Sequence, residues 1–226
     1  MYVETMTFEQ IRKEICGCED YLLRKTNNIL NDSSYRLNDS SYRRVCLNLG
    51  PEERRVFKRV DFKYDGFTFH IIPYTEGKRH YKKNGVCGIF FVSFMRGGRL
   101  WAASVKGMDY KVYAFYMPHF FDRYSERNGM EYTSTIDIMT LFFENNHSYV
   151  WEDYECNGYD DSVFSTMGDG IGLGNRFGNR SDEYVVFKTY VTEAMLFEDQ
   201  KGIYEEGYFE RECYMREAAL TTSTNL

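Results

Sequence analysis

His119, Arg123 and Arg127 recur at a spacing of four, and a helix brings residues i, i+4 and i+8 into one column. A titratable proton carrier beside two fixed cations can move a proton while holding a phosphodiester. Pro118 suits the first helical position, where its missing amide hydrogen would be unsatisfied anyway. His119 then falls near the positive end of the helix, and as a neutral imidazole it could accept a proton. Arg123 and Arg127 could clamp a phosphate or stabilise a phosphorane-like transition state. The same column also fits a solvated helix face, with Asp122 and Glu126 balancing the arginines and His119 serving as a cap.

Two further stretches carry residues suited to such a site. In Gly168-Asp169-Gly170-Ile171-Gly172-Leu173-Gly174, alternate glycines strip side chains from one face of a strand, so a ligand or another backbone can approach closely. Gly170 and Gly172 are therefore candidate substrate-facing positions, in a strand bend over a cleft or in a simple bulge. The stretch has neither the spacing of a dinucleotide fingerprint nor the Gly-Lys-Ser/Thr ending of a phosphate loop. Downstream, strict alternation places Lys188, Tyr190 and Thr192 on one strand face and Phe187, Thr189 and Val191 on the other. A Thr189 or Tyr190 hydroxyl with Lys188 could complete a phosphate-handling site. His147 could join His119 as an acid–base pair, although nothing local brings the two together. His70 and His80 fall in a β hairpin and in a basic loop with Lys78, Arg79, Lys82 and Lys83, and are expected to be exposed. There is no Gly-x-Ser-x-Gly elbow, so the sequence does not support a Ser–His–Asp hydrolase.

These residues need elements to position them. Phe8, Ile11, Ile15, Cys18 and Leu22 follow a 3-4-3-4 spacing, which predicts an amphipathic helix over residues 7–28. Its seam could pack on the main domain or on a partner protein. A heptapeptide, Leu-Asn-Asp-Ser-Ser-Tyr-Arg, then occurs twice in tandem over residues 30–43 and reads as a tolerant surface linker. Strand-like text runs over residues 56–117, with Asp65-Gly66 and Gly97-Gly98 as hairpin turns. Connections this short predict antiparallel pairing. A helix over 118–128 stops at Asn128-Gly129, and a second over 135–144 is capped by Ser134 with Asp137. Strands are expected over 148–155, 162–173 and 183–191, followed by an amphipathic helix over 202–219.

The order predicts an α+β fold: antiparallel sheet with a central helix pair, flanked by N- and C-terminal amphipathic helices. The expected divisions are an N-terminal helix and linker over 1–50, a main domain over 51–200 and a C-terminal helix and tail over 201–226. Aromatic residues make up 18% of the chain against only three prolines, the composition of a folded, strand-rich protein. There is no apolar run long enough to span a bilayer and no apolar leader at the N-terminus, so a cytoplasmic protein without membrane contact is expected. The six cysteines lack metal-ligand spacing, so neither a metal nor a cofactor is expected. Residues 1–127 carry 22 Lys and Arg against 15 Asp and Glu, whereas residues 128–226 carry 6 against 19. This polarity suits either a basic face for an anionic partner such as RNA or pairing between the two halves.

Taken together, His119-x-x-x-Arg123-x-x-Glu126-Arg127, the following helix, Asp169-Gly170 and a last strand ending in Thr189-Tyr190-Val191 resemble the barnase/EndoU/colicin/RelE-like ribonuclease superfamily. The resemblance covers residues 113–195, and toxin and prophage domains of that group share this order. It implies metal-independent endoribonuclease chemistry, with His119 as acid/base, Arg123 on the phosphate, Arg127 in support and Thr189 or Tyr190 from the last strand. The competing reading is a non-catalytic mobile-element accessory protein that binds a protein or nucleic-acid partner. The residues before 113 have no counterpart in the superfamily, and the acidic second half does not favour RNA.

Overall fold

A computed structural model describes all residues except 1, 31–39, 52, 107–110, 132–133, 148–149, 155–161, 179–181 and 225–226. The fold is α+β, with mostly antiparallel strands. The chain divides into two units, Met1–Tyr113 and Ala114–Leu226, whereas sequence patterning placed divisions at 50/51 and 200/201. No helix among the described residues is long and apolar enough to cross a membrane.

In the first unit the single expected N-terminal helix is two: α1 (Phe8–Gly17) and α2 (Glu19–Leu30). Thr7 starts α1 with a reciprocal capping box to Gln10, and Cys18 ends it. The apolar seam continues across the break, because Ile11, Ile15, Cys18 and Leu22 are all buried within the chain. Most of the tandem heptapeptide lies outside the described residues, but the end of its second copy opens α3 (Ser40–Leu47) rather than a loop.

The sheet of this unit runs β1 (Arg54–Val56), β3 (Phe67–Glu76), β4 (Cys87–Arg96), β5 (Arg99–Lys106), with β2 (Val60–Tyr64) also pairing with β3. Asp65 and Gly66 turn β2 into β3 with φ of 50° and 86°, and Gly97 and Gly98 turn β4 into β5 with φ of 58° and 70°. Two successive left-handed residues match the twist of paired strands, as expected from both dipeptides. Tyr21 stacks on Tyr64 with ring centroids 4.2 Å apart, and Phe8 meets Trp101 at 5.5 Å, so α1 and α2 cover the face bearing these rings.

Two histidine expectations are corrected. His70 is 2% exposed, because its alternation places it on a sheet face that is buried too. The basic loop is α4 (Gly77–Asn84), and there His80 is half-buried, with Nδ1 3.3 Å from the Thr75 hydroxyl and Nε2 3.7 Å from Cys87 Sγ.

The second unit begins within β6 (Lys111–Tyr116), which leads through Met117 into α5 (Pro118–Arg127), and Ser134 caps α6 (Thr135–Asn145) by accepting from the Asp137 amide. The strands β7 (Val150–Asp153), β8 (Ser162–Thr166), β9 (Ile171–Phe177) and β10 (Tyr184–Val191) form an antiparallel meander. The expected strand over 162–173 is thus split by a turn at 167–170. A departure from the antiparallel expectation is β10, which runs parallel to β6 with Phe115 opposite Val186. The intervening α5, α6 and three strands supply the long return that parallel pairing needs.

The core here is aromatic. Tyr116, Phe120, Phe121, Tyr124, Phe142, Phe187 and Tyr190 are all 0% exposed, and Phe142 lies 5.1 Å from both Phe120 and Tyr124 in edge-to-face contacts. Such contacts stabilise beyond area burial alone. The last helix, α7 (Glu198–Thr224), starts four residues before its expected start at 202 and packs Ile203 and Tyr204 against Phe164, Ile171 and Leu196. Its Phe209 is 70% exposed.

This packing has measurable consequences. Phe142→Ala should cost about 3–5 kcal/mol in denaturant unfolding, the usual penalty for emptying a packed aromatic site. Burial also holds His70 and His80 below their ordinary value of 6.5. Below that value the unfolded chain takes up protons that the folded one resists, so stability should fall as pH drops from about 7 to about 5. A flat unfolding free energy across that window would contradict the burial of both rings.

Candidate functional site

Pro118 occupies the start of α5, and its ring positions the next residue, His119, at the surface. The buried face of α5 is Pro118, Phe120, Phe121 and Tyr124, which leaves His119 exposed and Arg123 and Arg127 half-buried beside it. Arg123 and His119 meet at the expected spacing, with Arg123 Nε donating to His119 Nε2 at 3.3 Å. Arg123 also pairs with Glu126 at 2.5 Å, so one carboxylate competes for its guanidinium. Arg127 Nη1 is buried and has no hydrogen-bond partner among the described residues. Its own burial and then the neighbouring Arg123 push Arg127 below the usual guanidinium value, while Glu126 and Tyr190 oppose the shift. Asp122 and Glu126 stand on the same helix as the two arginines, and Glu126 is the carboxylate that pairs with Arg123.

Behind the column lies a polar network that no local spacing announces. The Tyr124 hydroxyl donates to Asp169 Oδ2 at 2.6 Å, and the Tyr190 hydroxyl donates to the Asp169 carbonyl at 2.5 Å. Asn145 Nδ2 adds donations to the Tyr124 hydroxyl at 3.3 Å and to Asp169 Oδ2 at 3.4 Å. The turn holding Asp169 is itself fixed, because the amides of Gly168 and Asp169 both donate to Asn146 Oδ1, at 2.7 and 3.2 Å. Burial first, and then the Asp169 carboxylate, push both phenols well above their ordinary value of 10. Both rings stay neutral donors, and Asp169 stays satisfied.

This network decides the role of the glycine-rich stretch. A side chain on Gly170 would collide with the Tyr190 hydroxyl, and one on Gly172 would collide with Met167 and press on Phe187. The close approach that the glycines permit is made by the chain's own groups. Gly170 and Gly172 are buried, and the space beside each is filled by the chain's own side chains rather than open to a cleft. Tyr190 is likewise corrected, since it is fully buried with its hydroxyl committed to Asp169.

The strict alternation expected for β10 also fails. A bulge falls between Phe187 and Thr189, where Gly174 pairs with Phe187 and Leu173 with Thr189, leaving Lys188 as the extra residue. Phe187 and Tyr190, three apart, therefore both pack on Phe120 of α5, at 6.1 and 5.9 Å. Lys188 is exposed and Thr189 half-buried. His147 is half-buried one residue past the α6 cap. Among the described residues no group of three or more His, Cys, Asp or Glu side chains is placed to hold a metal ion.

Neither a family model, nor a curated protein, nor a solved structure matches the chain.

The buried phenols carry a prediction. Tyr190→Phe should cost about 1–2 kcal/mol, since it removes a donor and leaves an Asp169 acceptor unmatched. Above about pH 10 the unfolded chain loses phenolic protons that the fold retains, so stability should fall as pH rises. Denaturant unfolding at about pH 9 and pH 11 should show that loss, and it should shrink in a Tyr124→Phe/Tyr190→Phe protein.

Proposed function

We propose that the outer face of α5 binds an RNA phosphodiester and cleaves it without a metal, as a ribonuclease of toxin or prophage type. The reading is supported most directly by one observation: His119 and Arg123 touch along an exposed helix face, with the half-buried Arg127 one turn on. The order of elements in the second unit, two helices and then an antiparallel meander that closes with β10, supports the reading.

The chemistry uses the residues already in place. In the structure the His119 Nε2 lone pair accepts from Arg123. A bound phosphate would draw the Arg123 guanidinium to its own oxygens and free that nitrogen to take the ribose 2′-hydroxyl proton. The 2′-oxygen then bonds to phosphorus as the bond to the 5′-oxygen breaks, and the protonated imidazole returns its proton to the leaving oxygen. Arg123 and Arg127 face the charge that develops on the non-bridging oxygens. Thr189 and Lys188 of β10 are given no role in this step, because Phe187 and Tyr190 are the β10 residues that pack on α5. Tyr190, Gly170 and Gly172 act instead as the scaffold behind this face.

The accessory-protein alternative is binding without cleavage, to a protein or nucleic-acid partner through the aromatic and basic N-terminal half. Expression of the unsubstituted chain should slow host growth and shorten RNA. His119→Ala or Arg123→Ala should relieve the arrest and lower cleavage at least ~100-fold. Salt-sensitive RNA binding that persists in His119→Ala without any cleavage in the unsubstituted chain would select the accessory reading. Abundant expression with intact RNA and no RNA binding would remove the ribonuclease reading.

A further inference from the structure

Three strands of the first unit carry a hydrogen-bonded row that the phosphodiester reading does not use. His70 Nδ1 lies 2.8 Å from Asp61 Oδ1, and His70 Nε2 lies 2.8 Å from Ser93 Oγ. The carboxylate can only accept, so Nδ1 carries the proton, and in the neutral ring Nε2 accepts from the serine hydroxyl. Register explains the alignment. Asp61 on β2 stands opposite His70 on β3, and Ser93 on β4 stands opposite Thr68, one same-face step along from His70. The ring is locked by stacking on Phe91 at 4.3 Å and 18°. Arg59 holds the far end by donating to both Asp61 oxygens, at 2.8 and 3.1 Å. Burial keeps His70 below its ordinary value, and Asp61 is held low by hydrogen bonds from Arg59 and His70 that outweigh its own burial.

The row ends at a cavity. Ser93 lines an open pocket of about 400 Å³ together with Lys63, Thr68, Met95 and Leu100. Met95 is 45% exposed there, so the pocket reaches solvent. Along the paired strands the backbone amides serve the sheet ladder, which leaves Lys63 as the cation in the lining that could face a developing oxyanion.

We propose that Asp61, His70 and Ser93 form an acyl-transfer site that hydrolyses small esters with a short apolar acyl chain. Ser93 Oγ bonds to the ester carbonyl carbon as its proton passes to His70 Nε2. The tetrahedral adduct collapses, the carbon–alkoxide bond breaks, and His70 returns the proton to the departing alcohol. Water then attacks the acyl-serine, giving its proton to His70, which hands it to Ser93 as the carboxylic acid leaves. Asp61 is a positioning residue that holds the imidazole tautomer. Met95 and Leu100 supply the apolar wall for the acyl group, while Lys63 repels cationic substrates.

The test uses the full chain with a fluorophosphonate probe, whose phosphorus bonds to an activated serine as fluoride leaves. Peptide mapping of the unsubstituted protein should place the adduct on Ser93. p-Nitrophenyl butyrate hydrolysis should fall at least ~100-fold in Ser93→Ala. Asp61→Asn should lower kcat with KM little changed and shift the pH profile, which a merely structural role would not do. An unmodified Ser93 in the folded, unsubstituted chain would overturn the proposal, as would hydrolysis undiminished in Ser93→Ala. The mapping needs no variant, so it decides the matter even where a His70 substitution fails to fold. The outcome is separate from RNA cleavage, which rests on α5.

Discussion

Among the tyrosines inside the aromatic core of the second unit, Tyr124 and Tyr190 share one hydrogen-bonding partner. Tyr124 and Tyr190 are both fully buried, and Asp169 accepts from each. A buried hydroxyl without a partner costs on the order of 1–3 kcal/mol, so the acceptor must be delivered to a fixed point. Much of the local architecture follows from that delivery. Asn146 at the end of α6 holds the turn by its two amides, and Gly168 lets the turn lie against the Asn145 carbonyl, where any side chain would collide. Gly170 leaves room for the Tyr190 hydroxyl. The turn, α5, α6 and β10 are thereby tied to one carboxylate.

The bulge in β10 belongs to the same constraint. With strict alternation, either Phe187 or Tyr190 would leave the core. One extra residue at Lys188 rotates the strand so that both rings reach α5. The inner face of α5 is then fully occupied by aromatic packing, and His119, Arg123 and Arg127 are left on the side facing away from it. A rigid scaffold behind charged side chains is a favourable base for binding an anion. Glu126 holds Arg123 in the meantime, at an exposed position where a phosphate can compete for it.

The first unit handles its buried polar groups differently. There a histidine inside a sheet is satisfied on both ring nitrogens by neighbours on adjacent strands. The satisfaction fixes the tautomer and points the chain of hydrogen bonds at Ser93. The same geometry that makes a buried histidine tolerable places the Ser93 hydroxyl beside a cavity, where the proposed acyl transfer would take place.

Local chemistry was legible in the sequence wherever neighbours in the chain decide it. The glycine turns at 65–66 and 97–98, the caps at Thr7 and Ser134, the proline start of α5 and the i, i+4 column all depend on residues within a few positions of each other. The sequence alone therefore determined the α+β class, the central helix pair and the column of His119, Arg123 and Arg127. Tertiary structure alone decided what depends on register between distant strands. A one-residue bulge reversed the facing of Tyr190, and strand pairing turned His70 from an expected surface residue into the middle of a row from Asp61 to Ser93. Gly170 and Gly172 marked a close approach correctly, yet only the fold showed that Tyr190, Met167 and Phe187 fill it. Periodicity along a strand predicts which residues share a face, but not which other strand lies beside it. Long-range pairing is set by the whole core, and no short stretch of this chain encodes it.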